Sequence, residues 1–349
     1  MKKRSIIALL LALVLLLTSC RTEPNKPGDN QSTKENECTI GMSFDSFVIE
    51  RWIRDRDVFV STANGLGAEV NVQSANGDVQ TQINQIKYFI KSKVDAIVIV
   101  TIDSDALTPV IEEAENAGIP VVCYDRIVRN AGCSLYISFN NVAVGMAMGN
   151  GICKKIPDGA NIVKVMGPKT DYNVDQVMNG FDKACESHKL NVLASCNCDE
   201  WKPEIAYDFI NTNIETVKEA EAIMCGNDAL AGEVIHALAE RGLSRKIFTV
   251  GQDADLEACQ RIVEGTQLMT VYKPVERLAV LAAECAVKLA KKQPLENVSK
   301  FNDGKHEIPY IAIEPIAVYK ENIDEIIIKS GFHQREEVYM NVSGNKNSK

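Results

Sequence analysis

The chain has 349 residues, 46% of them hydrophobic and 24% charged, which is the composition of a globular protein long enough for two domains. It carries 38 basic and 47 acidic residues, a formal charge of −9; without the first 19 residues, which hold Lys2, Lys3 and Arg4 and no acid, 35 basic residues face 47 acidic ones, a charge of −12. So acidic a surface argues against nucleic acid or anionic lipid as the partner.

The N-terminus reads as a processing segment: a basic start, an apolar run at 6–17 too short to span a bilayer comfortably, then Leu17-Thr18-Ser19-Cys20. It resembles a bacterial lipoprotein signal. Residues 1–19 would then be removed, and Cys20 would carry the lipid that anchors the protein outside the cytoplasm; a plain secretory signal with an incidental Cys is the alternative. Residues 21–37 are polar, with Pro24, Pro27 and Gly28, and are expected to form a tether averaging roughly 20–25 Å end to end.

From Cys38 strands and helices alternate. Residues 39–43 suggest a first strand. Residues 79–92 place Ile83, Ile86, Phe89 and Ile90 on one helical face, and 94–101 (VDAIVIVT) form the continuous apolar run of a parallel strand covered on both sides. A helix at 107–117 and a strand at 119–124 follow. The rhythm restarts with strands at 161–166, 221–225 and 246–250 and helices at 175–188, 202–213, 229–241 and 256–264. The expected fold is α/β, with two doubly wound lobes.

Ligands of open parallel sheets bind beyond the carboxyl ends of the strands. The residues found there are Asp45 and Glu50-Arg51-Trp52, Tyr124-Asp125-Arg126, Gly226-Asn227-Asp228 and Gly251-Gln252-Asp253-Ala254-Asp255. A sugar hydroxyl both donates and accepts, so Asp, Asn and Arg at these points suit it. Each has a plainer reading: Asp125, Asn227 or Asp253 as a helix cap, Arg51 as a solvated face, and Lys273 as an exposed lysine. Repetition at equivalent points favours a site. The two tryptophans, Trp52 and Trp201, fall in different lobes and could cover opposite faces of a sugar ring, or simply anchor two cores.

Of eleven cysteines, ten remain after Cys20, an even number compatible with disulfides in an exported protein. Cys123 and Cys225 lie in apolar strands and read as small buried hydrophobes. Cys196-Asn197-Cys198 reads as the exposed pair, without the spacing of a zinc site. No metal and no cofactor is expected.

With these residues assembled, the sequence resembles the D-xylose-binding proteins of bacterial sugar uptake, within the ribose- and galactose-type periplasmic binding proteins. The likeness runs from residue 40 to about 333. It rests on IGM (40–42), ERW (50–52), VQSANG (72–77), YDR (124–126), YISF (136–139), GQDADL (251–256), MTVYKP (269–274) and IKSGFH (328–333). It implies a type I periplasmic binding protein fold. One lobe would comprise residues 38–140 with 274–308 and the other 141–273 with 309–333. A polar tail at 334–349 follows, and hinge crossings fall near Asn141, Lys273 and Pro309. It further implies hydroxyl contacts from Arg51, Asp125, Arg126, Asn173, Asn227, Asp253 and Lys273, with Trp52 and Trp201 stacking. MGPKTDYN (166–173) departs from the family pattern except at Asn173, and residues 196–203 depart from it except at Trp201 and Pro203.

The closed, sugar-bound form would dock on the membrane permease of an ATP-driven importer. The alternative partner is the outer part of a sensor histidine kinase, and ribose or galactose is the alternative ligand. An enzyme is disfavoured: there is no G-x-S-x-G, H-E-x-x-H or phosphate loop, and the four histidines lie away from the strand ends. Asp253 and Asp255 could in principle cleave a glycoside, but binding explains them with fewer assumptions. An intracellular repressor of this fold is excluded by the export signal and the missing DNA-binding headpiece.

Overall fold

The computed structural model describes residues 38–342; the expected signal, Cys20 and the expected tether lie outside the described residues. The first lobe begins with β1 (Cys38–Phe44), α1 (Arg51–Gly65), β2 (Ala68–Ser74), α2 (Val79–Ser92), β3 (Ala96–Ile99), α3 (Thr108–Asn116), β4 (Val121–Tyr124) and β5 (Leu135–Phe139). The chain then crosses into α4 (Asn141–Cys153), β6 (Asn161–Met166), α5 (Tyr172–Cys185), β7 (Asn191–Asn197), α6 (Pro203–Thr212) and α7 (Ile214–Val217). The second lobe continues with β8 (Ala222–Cys225), α8 (Asp228–Ala239), β9 (Phe248–Val250), α9 (Leu256–Glu264) and β10 (Thr270–Tyr272). After Lys273 the chain returns to the first lobe as α10 (Val275–Ala290), β11 (Ser299–Asn302) and β12 (Glu307–Ile313), and ends in the second with β13 (Ile316–Val318) and α11 (Arg335–Val338).

The first sheet has the order β11-β12-β5-β4-β3-β1-β2 and is parallel except at the β11–β12 edge. The second is a parallel β7-β6-β8-β9 sheet, which a bridge from Val250 to Met269 leads on toward the antiparallel β10–β13 ribbon. Strands β3, β4 and β8 are buried at every position because helices cover both faces, which is why they read as unbroken apolar runs.

Local signals set the element ends. Asp78 accepts the backbone N–H of Thr81 to start α2, and Lys93, in the left-handed region, stops it. Ile86 and Phe89 on its inner face join the core under the first sheet. Gln82, on the same helix and fully buried, donates to the carbonyl of Val100 and accepts from the N–H of Ile102, fixing the loop beyond β3.

Two boundaries differ from expectation. The third crossing does not fall at Pro309, because residues 310–313 pair with β5 in the first sheet; it falls between Ile313 and Ile316. Nor is the segment from 334 simply a polar tail. Gln334 and Glu337 form a capping box, Val338 is buried, Gln260 donates to the Glu337 carbonyl and Asn341 to Glu264, so α11 packs on α9. Charged residues on its outer face hide one inward apolar position from a composition reading.

Candidate functional site

All nine residues expected to contact ligand line one cavity of about 330 Å³ between the lobes: Arg51, Trp52, Asp125, Arg126, Asn173, Trp201, Asn227, Asp253 and Lys273. Ile49, Asn141, Asp171 and Gln252 complete it. Arg51 opens α1, where the helix dipole disfavours a cation. Carboxylates offset this: Asp55, one turn on, receives Nη2 at 2.7 Å and Nε at 3.2 Å, and Asp125 receives Nη1 at 2.8 Å. Tyr124 also donates its hydroxyl to Asp55. The guanidinium lies 4.4 Å from the centre of the Trp52 ring and 5.2 Å from that of Phe139.

Asp125 occupies a tight turn at the end of β4. Its φ is +62°, and the N–H of Arg126 reaches back 2.7 Å to the carbonyl of Tyr124. Burial alone would raise the Asp125 pKa, but the charges of Arg51, Lys273 and Arg126 outweigh it and hold the carboxyl below its ordinary value. Asn173, from the other lobe, donates to both the carbonyl and Oδ1 of Asp125 at 3.1 Å.

Arg126 spans the cleft. On its own lobe Nη1 donates to Asp45 at 2.7 Å; across the gap Nε lies 2.7 Å from Asp171. Its guanidinium stands 5.5 Å from the Trp52 ring centre and 6.0 Å from that of Trp201. Burial lifts the carboxyls of Asp45 and Asp171 above their ordinary values, against the opposing pull of Arg126. Asp171 also caps α5 and accepts the Trp201 indole N–H at 3.2 Å.

Trp201 sits at φ +58° after Glu200 at φ +56°. Its indole lies over Gly167, where a Cβ would stand 2.3 Å from ring carbon Cζ2; only glycine leaves room. Asp253, at φ +103°, is 2.7 Å from Lys273, an ion pair without hydrogen-bond geometry. Lys273 is 6% exposed, not the surface lysine its type suggests. The plainer reading of Asn227 is also present: its Oδ1 caps α8 through the N–H of Leu230 while the residue lines the cavity.

Among the described residues, four buried side-chain polar atoms find no hydrogen-bond partner, and three belong to cavity residues: Trp52 Nε1, Gln252 Oε1 and Asp253 Oδ1. Asp171 escaped sequence reasoning because a carboxylate before a helix looks like a local cap, which it also is. Two other expectations fail. Cys198 is fully buried, so Cys196 and Cys198 are not an exposed pair. His333 does not stand clear of the strand ends: its Nε2 lies 2.8 Å from the carbonyl of Ala254, beside Asp253.

Two doubly wound α/β lobes closing on a cavity at the carboxyl ends of their strands define the type I periplasmic binding protein fold. Residues 40–294 match the periplasmic binding protein domain, and the chain belongs to that family. Over 315 residues it is 40% identical to the D-xylose-binding periplasmic protein of Haemophilus influenzae, covering 89% of this chain and 95% of that protein. Identity to the D-xylose-binding periplasmic protein of Escherichia coli K12 is 39% over 314 residues, 88% of this chain and 95% of that one. Among solved structures, a solute-binding protein of an ABC transporter from Clostridium phytofermentans with bound β-D-glucose aligns with a TM-score of 0.77 at 25% identity, covering 86% of this chain and 99% of that one.

Proposed function

We propose that this protein is an extracytoplasmic sugar receptor, tethered through a lipid on Cys20, that encloses D-xylose by hinge closure and delivers it to the permease of an ATP-driven importer. The observation that carries the ligand class is charge balance. Three acids, Asp125, Asp171 and Asp253, and three bases, Arg51, Arg126 and Lys273, line the cavity, all of them buried. A cavity wall whose acids and bases balance in number, and which is rich in fixed donors and acceptors, suits a neutral polyhydroxy compound better than an anion or a cation.

In this reading Arg51 and Arg126 donate to hydroxyls, Asp125 and Asp253 accept from them, and the amides of Asn173 and Asn227 do both. Trp52 and Trp201 cover the C–H faces. Xylose in particular is supported by the two relatives near 40% identity that bear its name. Its roughly ten non-hydrogen atoms need about 0.8 kcal/mol each for micromolar affinity, within the range of small ligands. No bond-breaking chemistry is assigned, since those relatives are binding proteins.

Calorimetry with xylose, ribose, arabinose, galactose and glucose tests the proposal. Xylose should bind at micromolar concentration or tighter. Glucose should bind distinctly more weakly, because its extra hydroxymethyl group meets the wall around Trp52. Equal affinities would overturn the xylose assignment, and no binding of any sugar would overturn the receptor. Loss of xylose uptake on deleting the gene would support import over sensing.

A further inference from the structure

Cys153 is the last residue of α4 and Cys185 the last of α5; both are thiols, and their sulfurs stand 3.1 Å apart. The two helices are held in close register along their length. A Cβ at Gly145 would lie 1.8 Å from the Val177 carbonyl oxygen, and one at Gly180 2.0 Å from that of Val142. At the opposite end Asn141 donates to Gln176 at 2.9 Å. The thiols therefore meet on a rigid framework. Cys153 is half-buried, so an oxidant can reach it, whereas Cys185 is 6% exposed. By contrast, Cys123 and Cys133 are sealed inside the first lobe's core.

We propose that Cys153 and Cys185 form a disulfide that staples the hinge-proximal helix α4 to the site helix α5. The oxidant is a small-molecule or protein disulfide. The Cys153 sulfur displaces one thiol from it, giving a mixed disulfide and releasing the Cys153 proton with the leaving thiol. Cys185 then attacks the Cys153 sulfur, loses its own proton and expels the second thiol. Two protein thiols are oxidised and one external disulfide is reduced to two thiols. Burial pushes the Cys185 thiol up and so lowers its thiolate fraction, which leaves the more exposed Cys153 to meet the oxidant first; the 3.1 Å separation then favours the second step by proximity. The exported location proposed above supplies an oxidising compartment, but the test below does not depend on it.

The full chain, treated with oxidised glutathione, alkylated with iodoacetamide and digested without reductant, should yield the two peptides containing Cys153 and Cys185 joined and two hydrogens lighter than their sum. Recovery of both cysteines alkylated, or of either one joined to a different cysteine, would overturn the assignment. Adding reductant to the oxidised protein should lower its melting temperature by roughly 5 °C while xylose affinity stays within about twofold. The Cys153→Ser/Cys185→Ser double variant should not respond to reductant. An unchanged wild-type melting curve on reduction would overturn the stapling role, and because affinity is read separately, that failure is distinct from failure of the sugar assignment.

Discussion

Asp125 shows how much the cavity constrains single residues. A non-glycine residue at φ +62° is conformationally costly, as are Trp201 and Asp253 at φ +58° and +103°, and all three line the same space. Such conformations persist because neighbours hold them, here through ion pairs to Asp125 and Asp253 and a hydrogen bond from Trp201 to Asp171. Trp52, 1% exposed and flanked by two guanidinium groups, is the counterpart on the near wall. Replacing it with Ala should weaken xylose binding by about 2 kcal/mol or more, read by calorimetry; wild-type affinity would make it a core anchor only. Asp228, just behind the site, gives a pH prediction. It is buried and accepts from Thr270 at 2.6 Å and Gln267 at 2.8 Å, and burial pushes its pKa up to about 7. The folded chain thus holds this proton more tightly than the unfolded chain, whose aspartates titrate near 3.9. Its contribution to stability is fully present below about pH 4 and is lost as pH rises through about 7. Asp228→Asn should therefore lose less stability than the wild type between pH 5 and 8 in denaturant titrations. Parallel slopes for the two proteins would contradict the shift.

The α4–α5 pair governs the second lobe at the scale of elements. Gly180 lies where the two helices approach closely, so Gly180→Ala should destabilise the protein by roughly 1–3 kcal/mol through overpacking, even though alanine favours an isolated helix by about 1 kcal/mol. Urea unfolding measures this, and a stability gain would show that the helices can move apart. The same pair marks a limit of sequence reasoning. Helix α2 was legible because Ile83, Ile86, Phe89 and Ile90 recur on one helical face. Helix α4 (NVAVGMAMGNGIC) was not, because burial on several sides removes the polar stripe that reveals a helix. Strands β2 and β7, at the sheet edges, were missed for the opposite reason: their half-exposed residues form no apolar run. The residues that line the cavity were more legible than the elements. Strand ends in a parallel sheet converge by topology, so Arg51, Asp125, Asn227 and Asp253 could be grouped without knowing where every helix lies.

Across the whole molecule, the lobes touch through a narrow set of bonds. The N–H of Ser104 donates to the Thr170 carbonyl, the N–H of Tyr172 to the Ser104 hydroxyl, Asn173 bonds Asp125, and Arg126 bonds Asp171. These second-lobe partners lie between 170 and 173, and a further bond, from Arg54 to the Phe332 carbonyl at 3.1 Å, joins the lobes away from that loop. Asp171→Ala removes the ion pair, and we predict a loss of sugar affinity of roughly tenfold or more. Small-angle scattering of the sugar-free variant should show a larger radius of gyration than sugar-free wild type; identical scattering would mean that the ion pair does not bias closure. The bond between Arg126 and Asp171 joins protein to protein, so part of what holds the lobes together does not depend on cargo. Under the proposed import role, empty receptors would spend a fixed share of their time in the shape that the permease accepts. Strengthening the bond would sharpen response to scarce sugar and, in the same stroke, raise the number of dockings that deliver nothing. In that role a single arginine, Arg126, would couple the sensitivity of the receptor to its rate of idle encounters.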